Sequence, residues 1–268
     1  MDAPFRGLWV AVAFLTRLRV PWAAAPSADA TGADAPAGGG SLGAGELRRA
    51  SVWFPLVGLV VAGVGVAFRA AAEPLWGGAV ATIVGLAAMV AVTGALHEDG
   101  LADSADGLWG GWDPAGRLAI MRDSRVGTYG IVAVVTVLAL RTALLLPLGL
   151  ADFARAVACA EVCSRAALLL VARALPPAHA GSGAEIAGPL PAGGVALAAL
   201  VTAATVALSA GVWAPLPLLA GLVVCAGCIR LFRRRLGGFT GDTLGAAQQL
   251  VALAVVAAVA ALARSGRL

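Results

Sequence analysis

The 268-residue sequence contains no lysine, and only 13% of its residues are charged. Soluble domains carry about 25% charged residues, so this shortage excludes an ordinary water-soluble globular protein. The absence of lysine excludes a Walker A nucleotide site and a lysine Schiff base. The hydrophobic fraction of 60% excludes disorder as the dominant state, because disordered chains have low hydrophobicity. A membrane protein that crosses the bilayer several times is the remaining class.

Cysteine is also scarce: Cys159 and Cys163 form one pair, and Cys225 and Cys228 form another. Both spacings can bind a metal on a helix. Each pair lies in an apolar stretch, however, where cysteine behaves as a small hydrophobic residue. We therefore expect buried thiols here, without zinc or redox chemistry.

Seven long apolar segments follow residue 50. Backbone groups inside lipid must find their hydrogen bonds within each segment, so these segments are predicted to be helices. The predicted fold class is all-α: a polytopic integral membrane helix bundle with about seven spans. The segments cover residues 51–70, 76–96, 127–150, 153–172, 192–212, 214–232 and 244–263.

The chain divides into three parts. Residues 1–22 contain an apolar run too short to span a bilayer, and Arg17 and Arg19 interrupt the path to a signal-peptide cleavage site. We expect an amphipathic interfacial helix there. Residues 23–45 are rich in Gly, Ala and Pro and are predicted to be a flexible linker. Residues 46–268 are predicted to form a single transmembrane domain that carries the chemistry.

Arginine is unevenly distributed among the loops. If the first span starts inside at Arg48 and Arg49, the loops 97–126, 173–191 and 233–243 lie on that same side and hold most of the loop arginines. The positive-inside rule then predicts that these loops face the cytosol, in the cytoplasmic (inner) membrane. The net charge of +4 is explained by this asymmetry, so we expect no nucleic-acid partner.

Acidic residues concentrate between positions 98 and 123, and Asp99, Asp103 and Asp106 have the spacing i, i+4, i+7. On a helix these carboxylates share one face and repel each other unless a cation lies between them. Mg²⁺ prefers carboxylate oxygens and commonly shares substrate phosphates. The pattern predicts a magnesium site that holds a diphosphate; the alternative is a solvated acidic loop. The segment follows directly on the second predicted span, so we expect the face to begin at the membrane boundary.

A polar motif precedes the third predicted span; it contains Arg122, Ser124 and Arg125. Such a motif is suited to phosphate binding, and the alternative is anchoring by positive charge. Arg141 and Arg165 lie inside predicted spans, where charge is costly and faces the bundle interior. Glu161 and Arg165 have ion-pair spacing, whereas Arg141 needs a partner on another helix or a ligand.

The last predicted loop contains Thr240 and Asp242 and lies on the same predicted side of the membrane as Asp99, Asp103 and Asp106. Both offer oxygen atoms to a metal or a substrate. His97 adjoins the aspartates and can act as a base or orient a metal ligand. Asp103 is central on the face, so the general base stays open between His97 and a carboxylate.

Several blocks in this order resemble the cobalamin synthase family, also called adenosylcobinamide-GDP ribazoletransferase. The blocks are 14–18, 54–58, 93–107, 121–128, 164–165 and 237–246. Four positions depart from the family pattern. Glu98 replaces a usually apolar residue, Gln249 a usual acid, Arg141 a frequent lysine and Arg19 a usual proline.

The resemblance implies that a ribose hydroxyl of α-ribazole, or of its 5′-phosphate, attacks the cobinamide-linked phosphorus of adenosylcobinamide-GDP. GMP leaves, in the last assembly step of cobalamin, and Mg²⁺ is required. We expect Asp99, Asp103, Asp106 and Asp242 to hold the metal, and Asp103 and His97 to be catalytic. The expected substrate-binding residues are Arg17, Arg122, Ser124, Arg125, Arg141, Arg165 and Thr240.

Two other functions stay open. A CDP-alcohol phosphotransferase also places Asp-Gly motifs at a membrane boundary, but its pattern continues with Ala-Arg, whereas Asp103 follows Ala102 here. An ion-coupled transporter usually has internal repeats and polar groups at mid-membrane. The sequence has no clear repeat, and its acids cluster in a predicted loop. A homo-oligomer is compatible with each of these functions.

Overall fold

The computed structural model describes residues 3–20, 45–179 and 182–268, and the regular secondary structure in these ranges is helical. The α-helices are α1 (Ala3–Leu15), α2 (Glu46–Ala50), α3 (Phe54–Thr93), α4 (Leu96–Gly110), α5 (Pro114–Met121), α6 (Thr128–Leu145), α7 (Leu150–Ala174), α8 (Ala192–Ala210), α9 (Pro215–Leu236) and α10 (Gly241–Arg264). The predicted all-α class is confirmed. The predicted linker lies outside the described residues, except for Gly45.

Helix α3 is a hairpin of two antiparallel arms that meet near Gly77. Gly77 has φ 76° and ψ 167°, which breaks the helix three residues after Pro74. A Cβ added to Gly65 would lie 2.6 Å from the Met89 side chain, and one added to Gly85 would lie 2.7 Å from the Gly65 carbonyl oxygen. In a straight helix Gly65 and Gly85 would be about 30 Å apart. The arms therefore correspond to the first two predicted spans.

Five helical stretches in the described part of the chain are long and apolar enough to cross a membrane. They are Glu46–Thr93, Thr128–Leu145, Ala192–Trp213, Pro215–Leu236 and Gly241–Arg264. The first contains both arms of α3. Helix α7, which is more charged, packs between α3 and α10. With α7 and the second arm of α3, these helices follow the seven predicted segments in order, while the number of crossings stays a prediction.

Helix α1 packs onto the bundle. The Phe14 ring stacks on Phe54 with centroids 5.9 Å apart, and Arg6 Nε donates to Glu46 Oε1 at 2.7 Å. With 13 residues, α1 is too short to span a bilayer, as the sequence indicated. Its place at a membrane surface stays a prediction.

The cysteines lie on the helices α7 and α9. All four are buried and free, and Cys225 Sγ lies 4.0 Å from the Ala167 carbonyl oxygen. The predicted burial of the thiols is therefore confirmed.

The loops that sequence analysis placed on one side of the membrane meet at one end of the bundle. Phe239 N–H donates to the Pro176 carbonyl at 2.9 Å, and the Phe239 carbonyl accepts from Ala178 N–H at 2.8 Å. Arg117 Nη1 donates to the Arg235 carbonyl at 2.8 Å. These bonds join helix α5 and the loop after α7 to the end of α9 and the loop that follows it. We call this end the loop end.

The opposite end contains the turn at Gly77 and the connections α6–α7 and α8–α9. Arg69 Nη2 donates to the Leu148 carbonyl at 2.5 Å, and its guanidinium lies 4.5 Å from the centre of the Phe153 ring. Arg267 lies over the Trp213 ring at 4.7 Å. These contacts tie α3 to α7 and the chain terminus to the α8–α9 turn.

Candidate active site

The three aspartates lie on α4, which is a helix separate from α3. Gly94 (φ 66°) and Ala95 (φ 58°) are both left-handed, and Ala95 N–H donates to the Val90 carbonyl at 3.0 Å. The expectation that the aspartate segment continues directly from the second span is wrong. Two left-handed residues end a right-handed helix, so the chain turns before α4 begins at Leu96.

Glycines let α4 approach the first turn of α10 closely. A Cβ added to Gly100 would lie 2.8 Å from the Asp242 carbonyl oxygen, and one added to Gly245 would lie 3.2 Å from the His97 carbonyl oxygen. Larger residues would therefore separate the helices at this crossing. The crossing brings the α4 aspartates to the same end of the bundle as Asp242.

Asp103 is half-buried between the other predicted ligands. Burial, together with the negative charges of Asp99, Asp242 and Asp106, raises the pKa of Asp103 to about 6. Asp99 is exposed and Asp242 is half-buried. The carboxylates thus form a mutually repelling group with access to solvent, which we call the aspartate face.

Asp106 is engaged with the N-terminus of α6. Its Oδ2 accepts from Gly127 N–H at 2.7 Å and its Oδ1 accepts from Gly130 N–H at 2.9 Å. A Cβ added to either glycine would lie 2.5 Å from this carboxylate. Asp106 therefore caps α6, and its position is set by that helix.

Three carboxylates of the aspartate face can share a Mg²⁺ ion with a substrate. Among residues 3–20, 45–179 and 182–268, no three His, Cys, Asp or Glu side chains form a ready-made metal site. Mg²⁺ is usually bound by one or two carboxylates, with waters and substrate phosphates completing its shell. Asp99, Asp103 and Asp242 fit such a shared cation, because a cation relieves the repulsion felt by Asp103. Asp106 fits less well, because both of its oxygens already accept backbone hydrogen bonds.

The predicted phosphate-binding motif forms the loop between α5 and α6. Arg122, Ser124 and Arg125 are exposed there. Arg125 Nη2 donates to Asp123 Oδ2 at 2.6 Å, and this hydrogen-bonded pairing lowers the pKa of Asp123 to about 2. The loop leads into Gly127, whose N–H binds Asp106, so the motif is tied to the aspartate helix.

Two further predicted substrate-binding residues, Thr240 and Arg17, stabilise a helix end and a turn. The buried Thr240 caps α10, since its hydroxyl accepts from Thr243 N–H at 3.1 Å. The exposed Arg17 lies against Gly94, and its N–H donates to the Val92 carbonyl at 2.7 Å. Arg17 thus packs over the turn that precedes the aspartate helix.

Arg141 and Arg165 lie inside the bundle, on either side of Glu161. Arg141 Nη2 donates to Glu161 Oε1 at 2.8 Å, and Arg165 Nη1 donates to Glu161 Oε2. This confirms the predicted Glu161–Arg165 pair and supplies the partner that Arg141 required on another helix. Both guanidinium groups are buried, so their contact with a substrate stays a prediction. With Glu98, Gln248 and Gln249, these three residues form what we call the interior cluster.

His97 faces the interior cluster. It is buried, and its Nε2 has no hydrogen-bond partner within the described part of the chain. Burial, together with the positive charge of Arg165, lowers the pKa of His97 to about 3. His97 is therefore neutral at physiological pH, and its predicted role as a base stays a prediction.

His179 was missed by the sequence analysis. The pairing of Ala178 with Phe239 carries it toward α10, where it interacts electrostatically with Asp242. Its sequence neighbours are Pro, Ala and Gly, so only the contact between two distant loops shows its position.

A family model described as Cobalamin-5-phosphate synthase matches residues 7–260. The chain belongs to this family.

Relatives named adenosylcobinamide-GDP ribazoletransferase resemble the chain over almost its whole length. The Azorhizobium caulinodans protein is 40% identical over 264 residues, which cover 95% of each chain. The Ralstonia nicotianae protein is 36% identical over 269 residues, or 94% of this chain and 93% of the relative. No solved structure matches the chain. The family resemblance stated from the sequence is thus confirmed, which favours the ribazoletransferase interpretation over the CDP-alcohol and transporter alternatives.

Proposed function

We propose that this membrane protein joins α-ribazole, or its 5′-phosphate, to adenosylcobinamide-GDP and releases GMP. The main support for the proposal comes from two sequence segments that resemble the family, 93–107 and 237–246. Both lie within the region that the family model matches. The fold brings these distant blocks into contact where Gly100 meets Gly245, at the loop end. The carboxylates that they carry are suited to diphosphate chemistry.

Breaking a diphosphate requires neutralisation of the negative charge on the transferred phosphorus group and on the leaving GMP. We propose that Asp99, Asp103 and Asp242 hold Mg²⁺, which supplies this neutralisation when bound. Arg122 and Arg125 are exposed in the adjacent loop, where their positive charges can attract phosphate oxygens; Arg122 can also offer paired N–H donors, whereas Arg125 already binds Asp123.

In the proposed reaction, the ribose hydroxyl oxygen forms a bond to the cobinamide-linked phosphorus. The bond from that phosphorus to the GMP oxygen breaks, and the hydroxyl proton passes to a base. Asp103 is the favoured base, because it is half-buried and central among the carboxylates at the loop end. The interior position of His97 favours a role in holding α4.

We further propose that the loop end faces the cytosol and that the protein resides in the inner membrane. The support is the excess of arginine in the loops that meet there. Asp99 and the loop arginines would then be exposed to soluble nucleotide substrates.

The test uses detergent-purified protein with adenosylcobinamide-GDP, α-ribazole and Mg²⁺, and identifies the products by mass. We expect GMP and adenosylcobalamin, and no product from a CDP-linked alcohol. Folded protein that forms no adenosylcobalamin contradicts the proposed function. Full activity in excess EDTA contradicts only the magnesium assignment.

A further inference from the structure

The interior cluster connects the two helices that carry the predicted metal ligands. Gln249 Nε2 on α10 donates to Glu98 Oε1 on α4 at 2.9 Å, and Gln249 Oε1 accepts from Arg141 Nη1 at 3.3 Å. Glu98 immediately precedes Asp99, and Gln249 lies seven residues, or about two turns, after Asp242. The Gln249 amide therefore links α4, which carries Asp99 and Asp103, to α10, which carries Asp242.

Burial makes this link costly to break. Glu98 is 8% exposed and Gln249 is 2% exposed. A polar group that loses its partner in such surroundings cannot turn to water instead. The formal charges of the cluster also balance when its acids are ionised, since Glu98 and Glu161 oppose Arg141 and Arg165.

A cavity of about 20 Å³ adjoins the link. Four atoms of its lining residues are buried and lack a hydrogen-bond partner within the described ranges: His97 Nε2, Glu98 Oε2, Arg141 Nε and Gln248 Oε1. A polar cavity of this size suits one water molecule with several partners. Such a water would satisfy the second oxygen of Glu98 and stiffen the junction.

We propose that Glu98 and Gln249 are positioning residues that hold α4 against α10, so that Asp99 and Asp103 share a cation with Asp242. The proposal rests on the magnesium part of the proposed function. Neither residue touches the substrate or the cation. Because glutamate and glutamine have nearly equal volume, the carboxylate can stand on either helix as long as the other carries the amide.

Three variants isolate this contact: Glu98→Gln, Gln249→Glu and the exchange Glu98→Gln/Gln249→Glu. The first leaves two arginines with one carboxylate, and the second places two carboxylates in contact. The exchange restores one acid, one amide and the original formal charge. Asp152→Asn, near the opposite end of the bundle, is the control for loss of an acid.

The measurement is the dissociation constant of Mn²⁺, followed by electron paramagnetic resonance on metal-free protein in detergent, together with the thermal unfolding midpoint. We expect each single variant to weaken Mn²⁺ binding about tenfold or more, as for other groups that orient metal ligands, and the exchange to recover most of this loss. A purely structural role would lower the unfolding midpoint without changing the dissociation constant of the folded fraction.

Unchanged Mn²⁺ binding in both single variants overturns the proposal. An exchange variant that folds but binds Mn²⁺ as weakly as the single variants also overturns it. If a single variant does not fold, Mn²⁺ binding by the exchange variant is compared with that of wild type, and a tenfold weaker binding overturns the proposal. Wild-type protein that binds no Mn²⁺ overturns the magnesium assignment and the positioning role together. Mn²⁺ binding that follows the expected pattern, without ribazole transfer, supports the positioning role and contradicts the proposed function alone.

Discussion

Asp103 combines partial burial with three neighbouring negative charges, and we expect it to dominate the chemistry at the residue scale. Asp103→Asn keeps the volume but removes the charge and the base. We expect the rate of GMP release to fall at least about 100-fold. The control is Asp152→Asn, which only breaks a partly exposed pair with Arg155 at 2.8 Å. A wild-type rate in Asp103→Asn would rule out the assignment.

The raised pKa of Asp103 also predicts a pH dependence of stability in metal-free protein. Its pKa is about 6 when folded and near 3.8, the ordinary value of an aspartate, when unfolded, so the folded state binds more protons between these values. Stability therefore falls as pH rises from about 4 to about 6. We expect the unfolding midpoint of wild type, relative to Asp103→Asn, to fall across this range in EDTA. A difference independent of pH contradicts the prediction.

Asp106 is predicted to matter for stability through its cap on α6. In Asp106→Asn the amide nitrogen cannot accept a backbone N–H, so one of the two capping bonds is lost. We expect the free energy of unfolding to drop by about 1–2 kcal/mol. Asp113→Asn is the matched control, because Asp113 caps the exposed start of α5 and asparagine caps equally well. Equal stability of the two variants would contradict this role.

At the element scale, the aspartate face depends on the close crossing of α4 and α10. Gly100→Ala adds a methyl group 2.8 Å from a backbone oxygen, so we expect destabilisation of about 1–3 kcal/mol and loss of transfer activity. Gly227→Ala on α9 is the control, because an added Cβ meets nothing within 4 Å. There we expect a neutral or slightly stabilising effect. Thermal unfolding and GMP release measure both effects, and unaltered behaviour of Gly100→Ala would show that the helices do not cross so closely.

At the scale of the whole molecule, the loop end is predicted to face the cytosol. The four native thiols are buried, so a single introduced cysteine can be labelled selectively. A membrane-impermeant maleimide applied to intact spheroplasts should label Val212→Cys, whose parent residue is 89% exposed at the opposite end. It should label Ala115→Cys, on the exposed part of α5, only after lysis. The reverse pattern would invert the proposed orientation.

The sequence by itself determined the fold class and the residues to examine. Apolar length forces helices in a membrane, because an unpaired backbone group in lipid is too costly. The i, i+4, i+7 spacing of Asp99, Asp103 and Asp106 needs only helical geometry, and the pair of Glu161 with Arg165 lies on one helix. Such local features depend on neighbours within two turns, so they can be found without a tertiary structure.

Only the tertiary structure decided how these residues are used. In the structure, Asp106 caps the N-terminus of α6, and the chain turns at Gly94 before α4 begins. Glu98 and Gln249, which are 151 positions apart in the sequence, are hydrogen-bonded. Each outcome depends on which helix faces fit closely enough to exclude water. That fit is set by small residues such as Gly100 and Gly245 acting as pairs, and the separate positions of two glycines in a sequence do not reveal that they meet.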